Sequence, residues 1–296
     1  MSWQESPTAH LSPDGSLRLI HGPIDLIVTA HGPAPAVRAA YLRASDAFKP
    51  VLSNLVSELS RLRQCDGPAP TGGIARKMHQ ATRPFAPTFI TPMAAVAGAV
   101  ADHILTALLA QNHSLTRAHV NNGGDIALWT ANQPLRLAIC EDPTTAAPGA
   151  QAEIGPRDGI GGVATSGWRG RSHSLGIADA VTVLAATAAQ ADAAATLIAN
   201  AIDLPDHPAI TRAPANSLSP DSDLGARRVT TDVAPLSAHD LRTALDRGVL
   251  RARTYAARGL IVGACLACQG ERRMIGTTIS ARPLRDQSQP KDLIHA

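Results

Sequence analysis

Hydrophobic positions change period several times along the chain, and each change predicts an element. Residues 17–20 and 24–30 read as two strands around a His21-Gly22-Pro23 turn. Over residues 35–63 the spacing becomes helical, with Val37, Tyr41, Ala44 and Phe48 followed by Val51, Leu52, Leu55, Val56, Leu59 and Leu62. Pro50 either divides that run into two helices or starts the second. Residues 74–82 predict a short helix with a basic face. Thr91 is placed to N-cap the next helix, with Pro92 at its first position. The body of that helix, residues 93–102, is almost entirely small side chains, which let another backbone or a flat ligand come close.

Farther on the period returns to two. His119-Val120 ends a strand, Asn121-Asn122-Gly123-Gly124 is a tight turn, and residues 125–129 and 135–139 are further strands. Residues 141–156 read as a surface loop, 180–185 as a buried strand and 191–196 as part of an alanine-rich helix. A polar loop over 205–225, a strand over 229–233, a helix N-capped by Ser237 and ended by Gly248, and a β-like run over 259–268 complete the pattern. Strands and helices mix without a steady βαβ rhythm, so the expected class is α+β, a mixed sheet with packed helices. Residues 1–16 are expected to be a flexible start and 277–296 a flexible tail. Residues 17–276 then form one domain or two intimate subdomains.

Composition narrows the function classes. The chain has 296 residues, 45% of them hydrophobic, enough for a large core, and only 3% aromatic. A net charge of +3 with so few aromatics does not suggest a nucleic-acid binder, which needs a basic face with stacking rings. Four cysteines without a disulfide-framework spacing make a reducing cytoplasm the default compartment. The first residues lack the basic and apolar regions of a signal peptide. The longest apolar run, 93–110, is broken by Asp102 and His103 and reads as a buried helix, with no membrane partner expected. A homodimer is the expected assembly, although no particular residue points to it.

Several polar groups could carry chemistry. Asp192 and Thr196 are four apart on a predicted helix, hence on one face. A carboxylate and a hydroxyl there suit a hard cation such as Mg2+. The alternative is an early-turn acid favoured by the helix dipole beside a packed threonine. The Asn122-Gly123-Gly124-Asp125 turn either presents amides to an anion, with Asp125 on a ribose or metal, or is simply a hairpin. Thr165-Ser166-Gly167 could line a phosphate or ring site, with Arg169, Arg171 and His173 adding positive charge. It is not a nucleophile elbow, because the Gly-x-Ser-x-Gly spacing is missing. Cys265 and Cys268 are three apart in a strand-like run, so they face opposite ways and do not favour a metal or redox pair.

Five blocks resemble a known family: residues 91–98, 120–126, 164–172, 174–185 and 191–196. In this order they look like the UPF0280 family, over a stretch from about Leu17 to Gly276, and that family is similar to the ApbE flavin transferases. The resemblance implies an ApbE-like α+β fold that binds FAD and Mg2+, transfers FMN to a Thr or Ser of an acceptor protein, or hydrolyses FAD to FMN and AMP. It implies Asp192 and Thr196 as metal ligands and catalytic residues. Gly123, Gly124, Asp125, Thr165, Ser166, Gly167 and His173 become cofactor-binding residues. Two departures stand out. Val96-Ala97-Gly98 replaces the lysine-bearing Gly-Gly-Ile-Ala-Lys-Gly pattern, and only His173-Ser174-Leu175-Gly176 remains of the His-x-x-Asp-Pro-x-x-Gly segment. The expected function is therefore an ApbE-like protein that binds FAD or a related nucleotide with Mg2+, cleaving its pyrophosphate or transferring FMN. The alternatives are a non-catalytic flavin or nucleotide binder, and an enzyme of different chemistry on the same fold.

Overall fold

The structure is a computed structural model and describes residues 6–110, 113–140, 148–280 and 293–295. The first part of the chain forms β1 (Thr8–Leu11), β2 (Leu17–His21), β3 (Ile24–His31), α1 (Ala34–Phe48), α2 (Val51–Ser57), α3 (Leu59–Leu62), α4 (Gly73–Thr82) and α5 (Val96–Leu108). The middle forms β4 (Arg117–Asn122), β5 (Asp125–Thr130), β6 (Leu135–Cys140), β7 (Pro148–Ile154), β8 (Gly162–Ser166), β9 (Ala180–Ala185) and α6 (Ala188–Ala201). The last part forms β10 (Ile210–Pro214), α7 (Ala215–Leu218), β11 (Arg228–Val233), α8 (Ala238–Ala257), β12 (Gly263–Cys268), β13 (Glu271–Ile275), β14 (Ile279–Ser280) and β15 (Leu293–His295).

Nine strands make one sheet in the order β1-β2-β3-β4-β5-β8-β9-β12-β13, with every neighbouring pair antiparallel. One face carries the helices. Leu26, Val28, Val120, Val181 and Val183 meet Phe48, Ile104, Ile198 and Leu245 there in the larger core. The other face is covered in part by a four-stranded sheet, β14-β7-β6-β15. Ile126, Leu128, Val163, Leu184 and Cys265 pack against Leu137, Ile139 and Ile154 in this second core. Strands β9 and β12 thus have cover on both sides, and all six residues of each are buried. This explains why they lack the polar–apolar alternation of a one-sided strand. Cys265 lies in the second core and Cys268 in the first, opposite each other across the sheet.

The mixed, non-βαβ architecture is that of the α+β class. Several local expectations change. The start of the chain contributes the edge strand β1, all four residues exposed, so no apolar period marks it. The second half of the expected 141–156 loop is β7, while residues 141–147 lie outside those described. The expected loop at 205–225 holds β10 and α7, because β10 pairs with β11. In the tail, Ile279–Ser280 pairs with β7 and Leu293–His295 runs parallel to β6. Helix α8 runs through Gly248 to Ala257. A side chain at Gly248 would strike Ile202 and Leu266, so this glycine marks close packing and not a helix end. Thr91 precedes a 3-10 turn, Pro92–Ala95, but makes no side-chain cap; its hydroxyl donates to Asp223.

Candidate functional site

The site begins where α5 and α6 cross. A Cβ on Gly98 would collide with the Ala188 carbonyl, and one on Gly162 of β8 with the Ala188 amide. The start of α6 is therefore wedged between α5 and β8, and only glycine allows both approaches. At the crossing the helices cap each other. Asp102 of α5 accepts hydrogen bonds from the Ala188 and Ala189 amides of α6 at 3.0 and 2.9 Å. Asp192 of α6 accepts one from the Gly98 amide of α5 at 3.0 Å, with the Ala97 amide adding to it. Each carboxylate meets the amide-rich positive end of the other helix.

The β4–β5 turn closes on the same place. The Asn122 side-chain amide donates to the Ala97 carbonyl at 3.1 Å, which ties the turn to the start of α5. The Gly124 amide donates to Asn121 Oδ1 at 2.8 Å. Gly123 and Gly124 have φ of +68° and +107°, backbone that L side chains rarely adopt. Asp125 pairs with Asn122 in the ladder and so shares the helix-bearing face. Its Oδ1 is buried and has no hydrogen-bond partner among the described residues.

Burial raises the Asp125 carboxyl well above the usual carboxylate range, and the nearby Asp192 charge raises it further. The Thr165 amide and the Arg171 guanidinium pull it partly back. Burial likewise lifts Asp192 to about 7, opposed by the Gly98 and Ala97 amides and reinforced by Asp102. Asp102 is also raised, chiefly by burial, while the two α6 amides and Lys77 on α4 oppose the shift. Three carboxylates thus lie in one another's field, with Arg171 at one end and Lys77 at the other. Among the described residues no group of three or more His, Cys, Asp or Glu converges on one point. A cation here would draw on two acids plus hydroxyl or backbone oxygens. That all-oxygen donor set, with one buried oxygen lacking a donor, fits a hard divalent ion.

The expected site residues do not all arrive together. Asp192 and Thr196 share a half-buried stripe of α6 that continues to Asn200. Asn200 Oδ1 accepts from the Leu175 amide at 2.9 Å and from the Ser174 hydroxyl at 3.2 Å, so the stripe runs beneath the β8–β9 loop. Thr165 reaches Asp125 with its backbone amide only. Its hydroxyl is 2.8 Å from Thr182 Oγ1, on the second-core side of the sheet that it shares with Val163. Ser166 alternates onto the helix side, with Ala164. Gly167 packs on the Asp179 carbonyl, where a Cβ would collide. Arg169 is bound to Asp179 at 2.8 Å and lies over the Trp168 ring. His173 pairs with Ser219 Oγ at 3.2 Å. Of Arg169, Arg171 and His173, only Arg171 acts on the carboxylates of the site, lowering Asp125 from a distance, and its guanidinium lies where a Gly123 side chain would be.

Asn122 lies in the expected glycine turn and Asp102 ends the expected small-residue helix, but the positioning roles of both, and of Asn200, come from the structure. A signal for Asp102 exists: Gly98 and Asp102 are one helical turn apart, a close-approach glycine beside an acid. Among the described residues no helix is long and apolar enough to cross a membrane.

The sequence model of a family described as AbpE bacteria matches residues 9–274. Curated relatives include a UPF0280 protein of Methanopyrus kandleri, 40% identical over 130 residues, 43% of this chain and 48% of the relative. Another, from Methanothrix thermoacetophila, is 38% identical over 130 residues, 44% of this chain and 52% of the relative. The chain spans about half the length of these relatives. Among solved structures, the ApbE protein of Thermotoga maritima aligns with 91% of this chain and 96% of its own at a TM-score of 0.49 and 11% identity. The apo flavinyl transferase ApbE of Pseudomonas stutzeri aligns with 93% of this chain and 96% of its own at a TM-score of 0.35 and 14% identity.

Proposed function

The chain belongs to the AbpE bacteria family, with UPF0280 relatives, and from that premise we propose that it binds FAD or a related dinucleotide together with Mg2+ and cleaves the pyrophosphate. The observation that carries this reading is Asp125 Oδ1, buried without a donor beside Asp192. Burying two like charges together is costly unless a cation or protons compensate them. Asp125, Asp192 and Thr196 would hold the ion. When bound, Mg2+ neutralises charge that builds on the pyrophosphate oxygens as the anhydride breaks.

The chain's own groups prepare the site. The start of α5 fixes Asp192 through the Gly98 amide, Asn122 fixes the glycine turn, and Asn200 fixes the Ser174-Leu175 segment above Thr196. Ser166, on the helix side of β8, is within the same layer and available to orient a ribose or flavin group. With FAD alone, water would attack the FMN phosphorus and AMP would leave, giving FMN; in transfer, a Thr or Ser hydroxyl of another protein would take the place of water. Incubation with FAD and Mg2+, followed by chromatography, tests cleavage. Wild type should release AMP, and Asp192→Asn should lower the rate at least about a hundredfold, the usual scale for losing a preorganised charge. Equal AMP from both proteins, or none from wild type, sinks the catalytic reading.

A second reading is favoured by the crossed caps. Asp192 is already engaged by α5, and no cationic side chain stands in the first turn of that helix. On this reading the protein holds the nucleotide without cleaving it. Intact FAD that copurifies, with no AMP formed over hours, supports it.

A further inference from the structure

The β8–β9 loop carries two arginines and a histidine, and two of the three are committed elsewhere. Arg169 is clamped to Asp179 and stacked on Trp168. The His173 ring meets Ser219. Arg171 differs from both. Its side chain is exposed, it makes no ion pair within bonding distance among the described residues, and its guanidinium lies against the Gly123 backbone, in the space any larger residue would fill. Its charge acts on two acids, Asp25 from β3 and Asp125 from β5. Asp25 has its own strong partner, a two-point pair with Arg18 at 2.9 and 2.6 Å. Arg171 therefore shields Asp25 and Asp125 at a distance while its five N–H donors remain open to another acceptor.

We propose that Arg171 is the phosphate-binding residue of this site, lying over the glycine turn to grip an anionic group of the ligand beside the Asp125–Asp192 cation position. This rests on the cation reading of Asp125 and Asp192. It adds the residue that grips the ligand: a phosphate ester or pyrophosphate would meet the planar fork in two-point fashion. A neutral ligand would leave both Arg171 and the turn unused. The turn fits the role, since Gly123 and Gly124 carry no side chains to block the approach.

The full-length protein is tested by calorimetry with inorganic pyrophosphate and, separately, by spin resonance with Mn2+ alone. Arg171→Met keeps the length of the side chain but not its charge. It should weaken pyrophosphate binding at least tenfold while Mn2+ binds as tightly or more tightly, because a repelling charge has left Asp125. Arg171→Lys should fall between, keeping the charge but not the fork. A merely structural role would weaken both ligands together, and that outcome overturns the proposal. So does pyrophosphate affinity within twofold of wild type in Arg171→Met, or no pyrophosphate binding by wild type. Failure of the cation reading is distinguishable: Asp192→Asn would then leave Mn2+ binding unchanged, whereas the cation-free pyrophosphate titration still reports on Arg171.

Discussion

Asp192 stands between two opposing influences: burial favours its neutral form, and the amides of α5 favour the charged one. Burial prevails, and the carboxyl titrates at about 7, against about 3.9 for an unfolded aspartate. The folded-state value is the higher, so protons favour the native state. The stabilisation is complete below about pH 4 and lost as the pH rises through 7. In metal-free buffer the wild-type melting temperature should therefore fall between pH 5 and pH 8, and Asp192→Asn should flatten that fall. Added Mg2+ should restore wild type at pH 8 and do nothing for the variant. A wild-type profile already flat over this range would contradict the burial of Asp192. Asp125 shifts in the same direction and adds to the slope.

At the scale of elements, the α5–α6 crossing depends on Gly98. Gly98→Ala places a methyl against the Ala188 backbone, which no side-chain movement relieves, and separates Asp192 from its amide. Denaturant unfolding should show a loss of about 1–3 kcal/mol or more, the usual range for overpacking. Gly73, at the start of α4, is the contrast: its added methyl meets nothing within 4 Å, so Gly73→Ala should gain about 0.4–1 kcal/mol. A Gly98→Ala protein as stable as wild type would show that the helices do not approach as described. Elements with a buried face were legible in the sequence, including β2, β3, α1, α4, β9 and α6. Those without one were not. β1 has no buried residue, β10 is held by its partner β11, and Gly248 looks like a stop only until Ile202 is seen beside it. The site was legible by residue type but not by direction. Asp192 with Thr196 and the glycine turn follow from spacing. The turning away of Thr165 Oγ1 follows from which core Val163 joins, and that depends on the second sheet.

Over the whole molecule, stability should follow the layers. β9 and β12 are covered by helices on one side and by the four-stranded sheet on the other, whereas β1 is an exposed edge. Native-state hydrogen exchange should therefore be slowest in the amides of β9 and β12, opening only with global unfolding, and fastest in β1. Comparable protection in β1 and β9 would mean that the edge strand is covered by something else.

Because each helix start is neutralised by an acid from the other helix, and these bonds link positions 86 to 94 residues apart, the charge of the site is a product of late folding. A growing chain that has made only α5 holds Asp102 but has no amides to match it. Asp125 then gains no neighbouring charge until α6 docks. A nascent chain accordingly lacks the paired carboxylates that the proposed divalent ion would need, and its binding would follow completion of the fold.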